Sequence, residues 1–283
     1  MTDAKHLPGF DERWVEPRGV PIRYFAAGRG RPVVLLHGLG GAAANWSAVA
    51  PQLARSRRVL VPELPGHGGS APLAALPTLE PFVDVVLEVA RAEDALPTAI
   101  VGHSLGGLVA LMVAGRAPEA VTAVVVAAGA GISSGARAAE AVLTVLGLVQ
   151  PGRVVARYRR RWASSPLLRT LAFGWWGISD PVGLSPETAE SFLVGPGWHT
   201  DTFAAGKALV HTDPRPDLAR VRCPCLCLWG ADDHWVPLQD GMEYARRLRA
   251  PLRVVADCGH LLIGERPDAC VEAIEDFLDG AGL

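Results

Sequence analysis

Along the first half of the chain, short runs of consecutive apolar residues alternate with longer stretches whose apolar positions recur every three to four residues. The runs Val20–Ala26, Pro32–Leu36, Arg58–Val61, Ala99–Val101 and Thr122–Ala127 predict strands. Between them, Ala44–Ala54, Leu79–Ala95 and Leu105–Ala117 predict helices. The alternation returns near the C-terminus, with strands at Cys225–Trp229 and Leu252–Val255 and helices at Leu238–Leu248 and Asp268–Leu278. Short, nearly all-apolar strands alternating with helices point to an α/β protein with a mainly parallel sheet covered on both faces. There is no internal repeat and no low-complexity linker.

From Ile132 to Arg220 the strand pattern stops. Helical stretches such as "GARAAEAVLTVLGLV" and "GRVVARYRRRW" take its place, with Trp162, Phe173, Trp175, Trp176, Phe192, Trp198 and Phe203. A helical insertion of this length is a second domain or a cap over the sheet edge. The return of strands after it favours the cap. The chain then divides into a core of residues 1–131 and 221–283 and a helical cap of residues 132–220. Most of the cap aromatics are expected to be core, and some to line a pocket beneath it.

Composition narrows the field. With 49% hydrophobic and 20% charged residues over 283 positions, the chain can bury a sizeable core and is not disordered. A net charge of -2 gives no reason to expect nucleic acid or an anionic membrane as partner. No uninterrupted apolar run reaches the ~18 residues of a membrane helix. The basic cluster "RYRRRW" (Arg157 to Trp162) is expected to be a solvated helix face. The first twenty residues carry acids and prolines without an apolar secretory segment. Reduced thiols and a cytoplasmic address are therefore expected of the five cysteines, an odd number. Cys223, Cys225 and Cys227 alternate and would share one strand face. They lack CxxC spacing, so small core side chains are preferred to a metal site.

The chemistry concentrates in "VGHSLGG", Val101 to Gly107. Ser104 stands between a predicted strand and a predicted helix, with Gly102 and Gly106 at minus two and plus two. This is the G-x-S-x-G nucleophile elbow, where side chains at the glycines would strike adjacent backbone. The helix beginning at Leu105 aims its first N–H groups at the reacting oxygen. Serine needs a base, and the base needs an orienting acid. Of eight histidines, His260 in "DCGHLLIGERP" follows a strand and precedes a helix, where a base can reach over the sheet edge. His37 and His103 lie in Gly-rich turns with other work, and His67 in "ELPGHGGS" reads as structural. His6, His199, His211 and His234 lack comparable settings. For the acid, "LWGADDHWVP" offers Asp233, deep in the turn, with Asp232 as the alternative. The backbone N–H groups of Leu105 and of Leu39, in "LLHGLGG", are the candidate oxyanion donors. The Leu39 loop lacks the Lys-Ser/Thr of a Walker loop.

Taken in order, "LLHGLGG", "ELPGHGGS", "VGHSLGG", "LWGADDHWVP" and "DCGHLLIGERP" resemble the blocks of the α/β-hydrolase superfamily, in its capped, esterase-like branch. The resemblance spans residues 20–280. It implies an eight-stranded sheet with helices on both faces, a cap after the sixth strand and no cofactor. It carries the nucleophile to Ser104, the acid to Asp233, the base to His260 and the oxyanion donors to Leu39 and Leu105. One departure is Glu63, where the family usually has Asp before Gly-His-Gly; the extra methylene is expected to alter turn packing alone. The expected activity is hydrolysis of small to medium carboxylic esters. Enol-lactone or carbon–carbon hydrolysis, perhydrolysis, lyase chemistry and a ligand receptor on the same fold are the alternatives. A serine at the elbow argues against haloalkane dehalogenase and epoxide hydrolase. The expected partner is a small-molecule ester or lactone, bound by a monomer or homodimer.

Overall fold

The computed structural model describes residues 6–73, 78–133, 155–195 and 202–283. Residues 135–149, Trp198, His199 and the side chains of Trp175 and Trp176 lie outside that description.

Eight strands form one sheet: β1 (Asp11–Val15), β2 (Ile22–Ala27), β3 (Pro32–Leu36), β4 (Arg58–Pro62), β5 (Thr98–His103), β6 (Val121–Ala127), β7 (Cys225–Gly230) and β8 (Leu252–Val255). Their order is β1-β2-β4-β3-β5-β6-β7-β8. β2 runs antiparallel to β1 and β4, and every other pair is parallel. Among the described residues the helices are α1 (Ala50–Leu53), α2 (Glu80–Ala92), α3 (Leu105–Arg116), α4 (Arg159–Ser164), α5 (Pro166–Gly177), α6 (Pro186–Leu193), α7 (Thr202–Val210), α8 (Leu238–Leu248), α9 (Leu262–Glu265) and α10 (Pro267–Gly280). β5 and β7 are buried along their whole length, as strands covered on both faces must be. This is the mostly parallel, eight-stranded sheet that the resemblance implies.

Two elements depart from the periodicity. β1, "DERWV", was not expected; it is an edge strand with four of its five residues exposed, so no apolar alternation marks it. The helix expected over Ala44–Ala54 is broken into a 3-10 turn, Ala43–Trp46, and the short α1. Pro51 accounts for the break: it has no N–H to donate and is tolerated only in a first turn.

Between β6 and β7 the described elements are helices. α4 to α6 gather around their own cluster of Ala163, Phe173, Ile178, Leu184, Ala189 and Leu193, with Trp162 and Phe192 packed against it. α7 differs: its Ala205, Ala208 and Leu209 belong to the main core. In the basic cluster, Arg159 and Arg160 both pair with Glu190 of α6. Cys225 and Cys227 are buried in β7, whereas Cys223 precedes the strand and is half-buried. Burial pushes the Cys227 thiol up to about 12. Among the described residues no group of three or more His, Cys, Asp or Glu could hold a metal ion. No described helix is long and apolar enough to cross a membrane.

Glu63 proves to be a structural hub. Its buried carboxylate receives Arg23 Nε at 2.9 Å and Arg23 Nη2 at 3.1 Å, and the N–H groups of Gly69 at 2.6 Å and Ala43 at 3.3 Å. The carboxylate thus ties β2 to the loop after β4 and to the turn after β3. Breaking a buried ion pair leaves one charge uncompensated. Arg23→Met is therefore expected to lower unfolding free energy by about 3–5 kcal/mol, read as a lower denaturant midpoint.

Candidate active site

The sheet carries its candidate chemistry on one edge. In the parallel register Leu36 lies opposite Gly102, and Gly230 opposite Val255. The loops after β3, β5, β7 and β8 therefore leave the carboxyl ends of their strands together. β3 and β5 are also where the chain reverses its direction of winding across the sheet, the place where open α/β sheets form a crevice.

Ser104 sits between β5 and α3 with φ 54° and ψ -117°, a conformation that costs roughly 1–3 kcal/mol for a residue with a side chain. A Cβ on Gly102 would stand 2.1 Å from the Gly106 carbonyl, and one on Gly106 only 2.3 Å from the Leu36 carbonyl. Only glycine fits either place, and the tight packing holds the strained turn. The Ser104 N–H donates to Ala127 O at 2.9 Å. Its side chain stays half-buried at the sheet edge.

His260 reaches this serine from the loop after β8. Ser104 Oγ lies 3.1 Å from His260 Nε2, and His260 Nδ1 lies 2.8 Å from Asp233 Oδ2. With Nδ1–H donating to the carboxylate, Nε2 is left as acceptor for the serine hydroxyl. The other oxygen, Asp233 Oδ1, accepts the N–H groups of Trp235 at 2.9 Å and Val236 at 2.8 Å. Trp229 Nε1 donates to Val236 O at 2.9 Å, so the last residues of β7 brace the turn that carries Asp233. His260 and Asp233 are only 3% and 5% exposed, which keeps water from competing for these bonds. The alternative acid, Asp232, points elsewhere: its Oδ2 accepts Ser179 Oγ at 2.9 Å.

The candidate oxyanion donors come from two loops. Leu105 opens α3, where first-turn N–H groups have no intrahelical acceptor. Leu39 lies in the turn closed by Gly41 N–H donating to Gly38 O at 3.0 Å. That turn presses on the elbow, since a Cβ on Gly38 would lie 3.0 Å from Ser104 Cβ. His37 fixes its base: Leu64 N–H donates to His37 Nε2 at 3.0 Å, and Nδ1–H donates to Gly38 O at 2.8 Å.

His103 does more than fill a turn. Its Nε2–H donates to the His260 carbonyl at 2.8 Å, linking the elbow to the loop that carries His260. Burial, with the neighbouring His260 adding to it, drives the His103 pKa down to about 3, so the ring is neutral at working pH. Trp235, 60% exposed, stacks on His260 with ring centroids 5.6 Å apart. Neither contact is marked by spacing, because both join residues distant in sequence. His67 is buried with Nδ1 3.0 Å from Pro65 O, and its ring lies 5.1 Å from that of His37, centroid to centroid.

Residues 33–273 match the sequence profile of the alpha/beta hydrolase family. The chain belongs to that family. Among its relatives, pimeloyl-[acyl-carrier protein] methyl ester esterase of Aromatoleum aromaticum is 33% identical, over 88% of this chain and 98% of its own. The 2-hydroxymuconate semialdehyde hydrolase of a Pseudomonas species is 30% identical, over 92% and 91%. In fold, the chain is similar to the enol-lactonase from Burkholderia xenovorans LB400, with TM-score 0.70, 23% identity and coverage of 94% and 100%. The hydrolase family thus includes relatives that cleave esters and others named for different hydrolytic substrates.

Proposed function

We propose that this hydrolase cleaves carboxylic esters of small to medium acyl chain through an acyl-enzyme on Ser104. The observation that carries the reading is the His260 ring bridging Ser104 Oγ at 3.1 Å and Asp233 Oδ2 at 2.8 Å. In this reading His260 Nε2 takes the hydroxyl proton as Ser104 Oγ bonds to the acyl carbon. The carbonyl electron pair moves to the oxygen, which the N–H groups of Leu39 and Leu105 receive. Asp233 stabilises the imidazolium without taking its proton. The tetrahedral intermediate collapses, the ester C–O bond breaks, and His260 returns the proton to the leaving alcohol. Water then repeats the sequence against the acyl-enzyme, releasing the acid and restoring Ser104.

The relative that is a methyl ester esterase supports the ester reading. The 2-hydroxymuconate semialdehyde hydrolase supports a second reading, in which the same triad cleaves a carbon–carbon bond of a ring-cleavage product. One comparison separates them: kcat/KM for p-nitrophenyl esters from acetate to decanoate, against a 2-hydroxy-6-oxo-dienoate. Ester turnover with a chain-length optimum and no dienoate cleavage supports the first reading. Dienoate cleavage exceeding ester turnover replaces it with the second.

A further inference from the structure

The loop that carries His260 is gripped by a carboxylate outside the proton relay. Glu265, at the end of α9, accepts three backbone N–H groups, one of them shared between its two oxygens. Its Oε1 receives Gly259 at 3.1 Å and Leu261 at 3.1 Å, and its Oε2 receives Gly259 at 3.0 Å and Ser179 at 2.7 Å. The N–H groups on both sides of His260 therefore end on one side chain. The N–H of His260 itself donates to Gly177 O at 3.0 Å. Three successive amides are thus fixed, two by Glu265 and one by the chain leaving α5. That same chain is held to the acid turn, because Ser179 Oγ donates to Asp232 Oδ2.

We propose that Glu265 is a positioning residue for His260: its carboxylate locks the base-bearing loop to Gly177–Ser179, so that the ring keeps Nε2 in line with Ser104 Oγ. The proposal rests on His260 being the base, as in the ester reading. Charge-assisted bonds to backbone N–H groups are short and directional, and three such donors on one carboxylate leave the loop little freedom. The link also runs from the helices between β6 and β7 to the catalytic histidine. Movement at Gly177–Ser179 would therefore be felt at His260 through Glu265.

Glu265→Gln tests this. It keeps the size of the side chain but replaces one oxygen with an NH2 group. In either orientation that group faces a backbone N–H with no other acceptor on the side chain, Leu261 or Ser179, and the loop must shift. Displacing a catalytic group by an ångström costs about 100-fold, so kcat for ester turnover is expected to fall roughly 10- to 100-fold. KM should stay within about twofold, because the interaction lost is made at the reacting step. The second readout is the downfield proton resonance of His260 Nδ1–H, assigned by its loss in His260→Ala. It is expected to shift or broaden in Glu265→Gln. A purely structural glutamate would lower the thermal midpoint and leave kcat and the resonance unchanged, and that result overturns the proposal. Should the wild type turn over no ester, the ester reading fails and the resonance alone decides the role of Glu265. If Glu265→Gln does not fold, Glu265→Asp, which keeps the charge on a shorter arm, carries the same comparison. A resonance and kcat at wild-type values in a folded Asp variant then overturn the proposal.

Discussion

Ser104→Ala is expected to lower kcat for ester hydrolysis roughly 10⁶-fold, the scale of removing a triad nucleophile. The fold should survive the change. Alanine keeps the Cβ that already stands at φ 54°, so the strain of the turn is neither relieved nor increased. The candidate oxyanion donors, the N–H groups of Leu39 and Leu105, are untouched by the change, and a small residue of catalysis over water should persist. The comparison is a spectrophotometric assay of both proteins, with circular dichroism showing equal folding. Activity within tenfold of wild type would remove Ser104 from the chemistry.

The second large effect is expected at Asp233. In Asp233→Asn the side chain still fits, and one atom can still accept from the N–H groups of Trp235 and Val236. What changes is the histidine: an amide NH2 set against Nδ1 favours the tautomer that carries its proton on Nε2. His260 would then present a donor to Ser104 where an acceptor is needed. The expected loss is about 10⁴-fold in kcat. Asp232→Asn is the matched control. Its carboxylate is bonded to Ser179, not to His260, so kcat should change by only a few-fold. Equal losses in the two variants would show that the acid has been misassigned.

The two aspartates mark what a sequence can and cannot say about this site. The elbow is legible because its residues lie within five consecutive positions. Glycines at 102 and 106 are demanded by backbone atoms only a few residues away or on the adjoining strand. The central strands are legible for a similar reason, as burial on both faces leaves a continuous apolar run. Depth in the turn already favours Asp233 over Asp232 in the sequence, and the structure adds the direction in which each side chain leaves that turn. That direction is set by Trp229 holding the Val236 carbonyl and by the paired N–H groups on Asp233 Oδ1. The edge strand Asp11–Val15 escaped because one exposed edge needs no apolar pattern. Glu63, marked in the sequence only as a departure from the family, becomes intelligible through Arg23, which lies 40 residues away. The work of Glu265 was likewise hidden, since its partners are backbone amides that any residue supplies.

The central claim is that Ser104 is a nucleophile activated by His260. The most direct measurement is peptide mapping by mass spectrometry after brief treatment with a fluorophosphonate, on wild type, Ser104→Ala and His260→Ala. A single adduct on the peptide containing Ser104, absent from the alanine variant and formed far more slowly without His260, is the result expected. An unlabelled wild type, an adduct on another residue, or labelling at the same rate without His260 would contradict it.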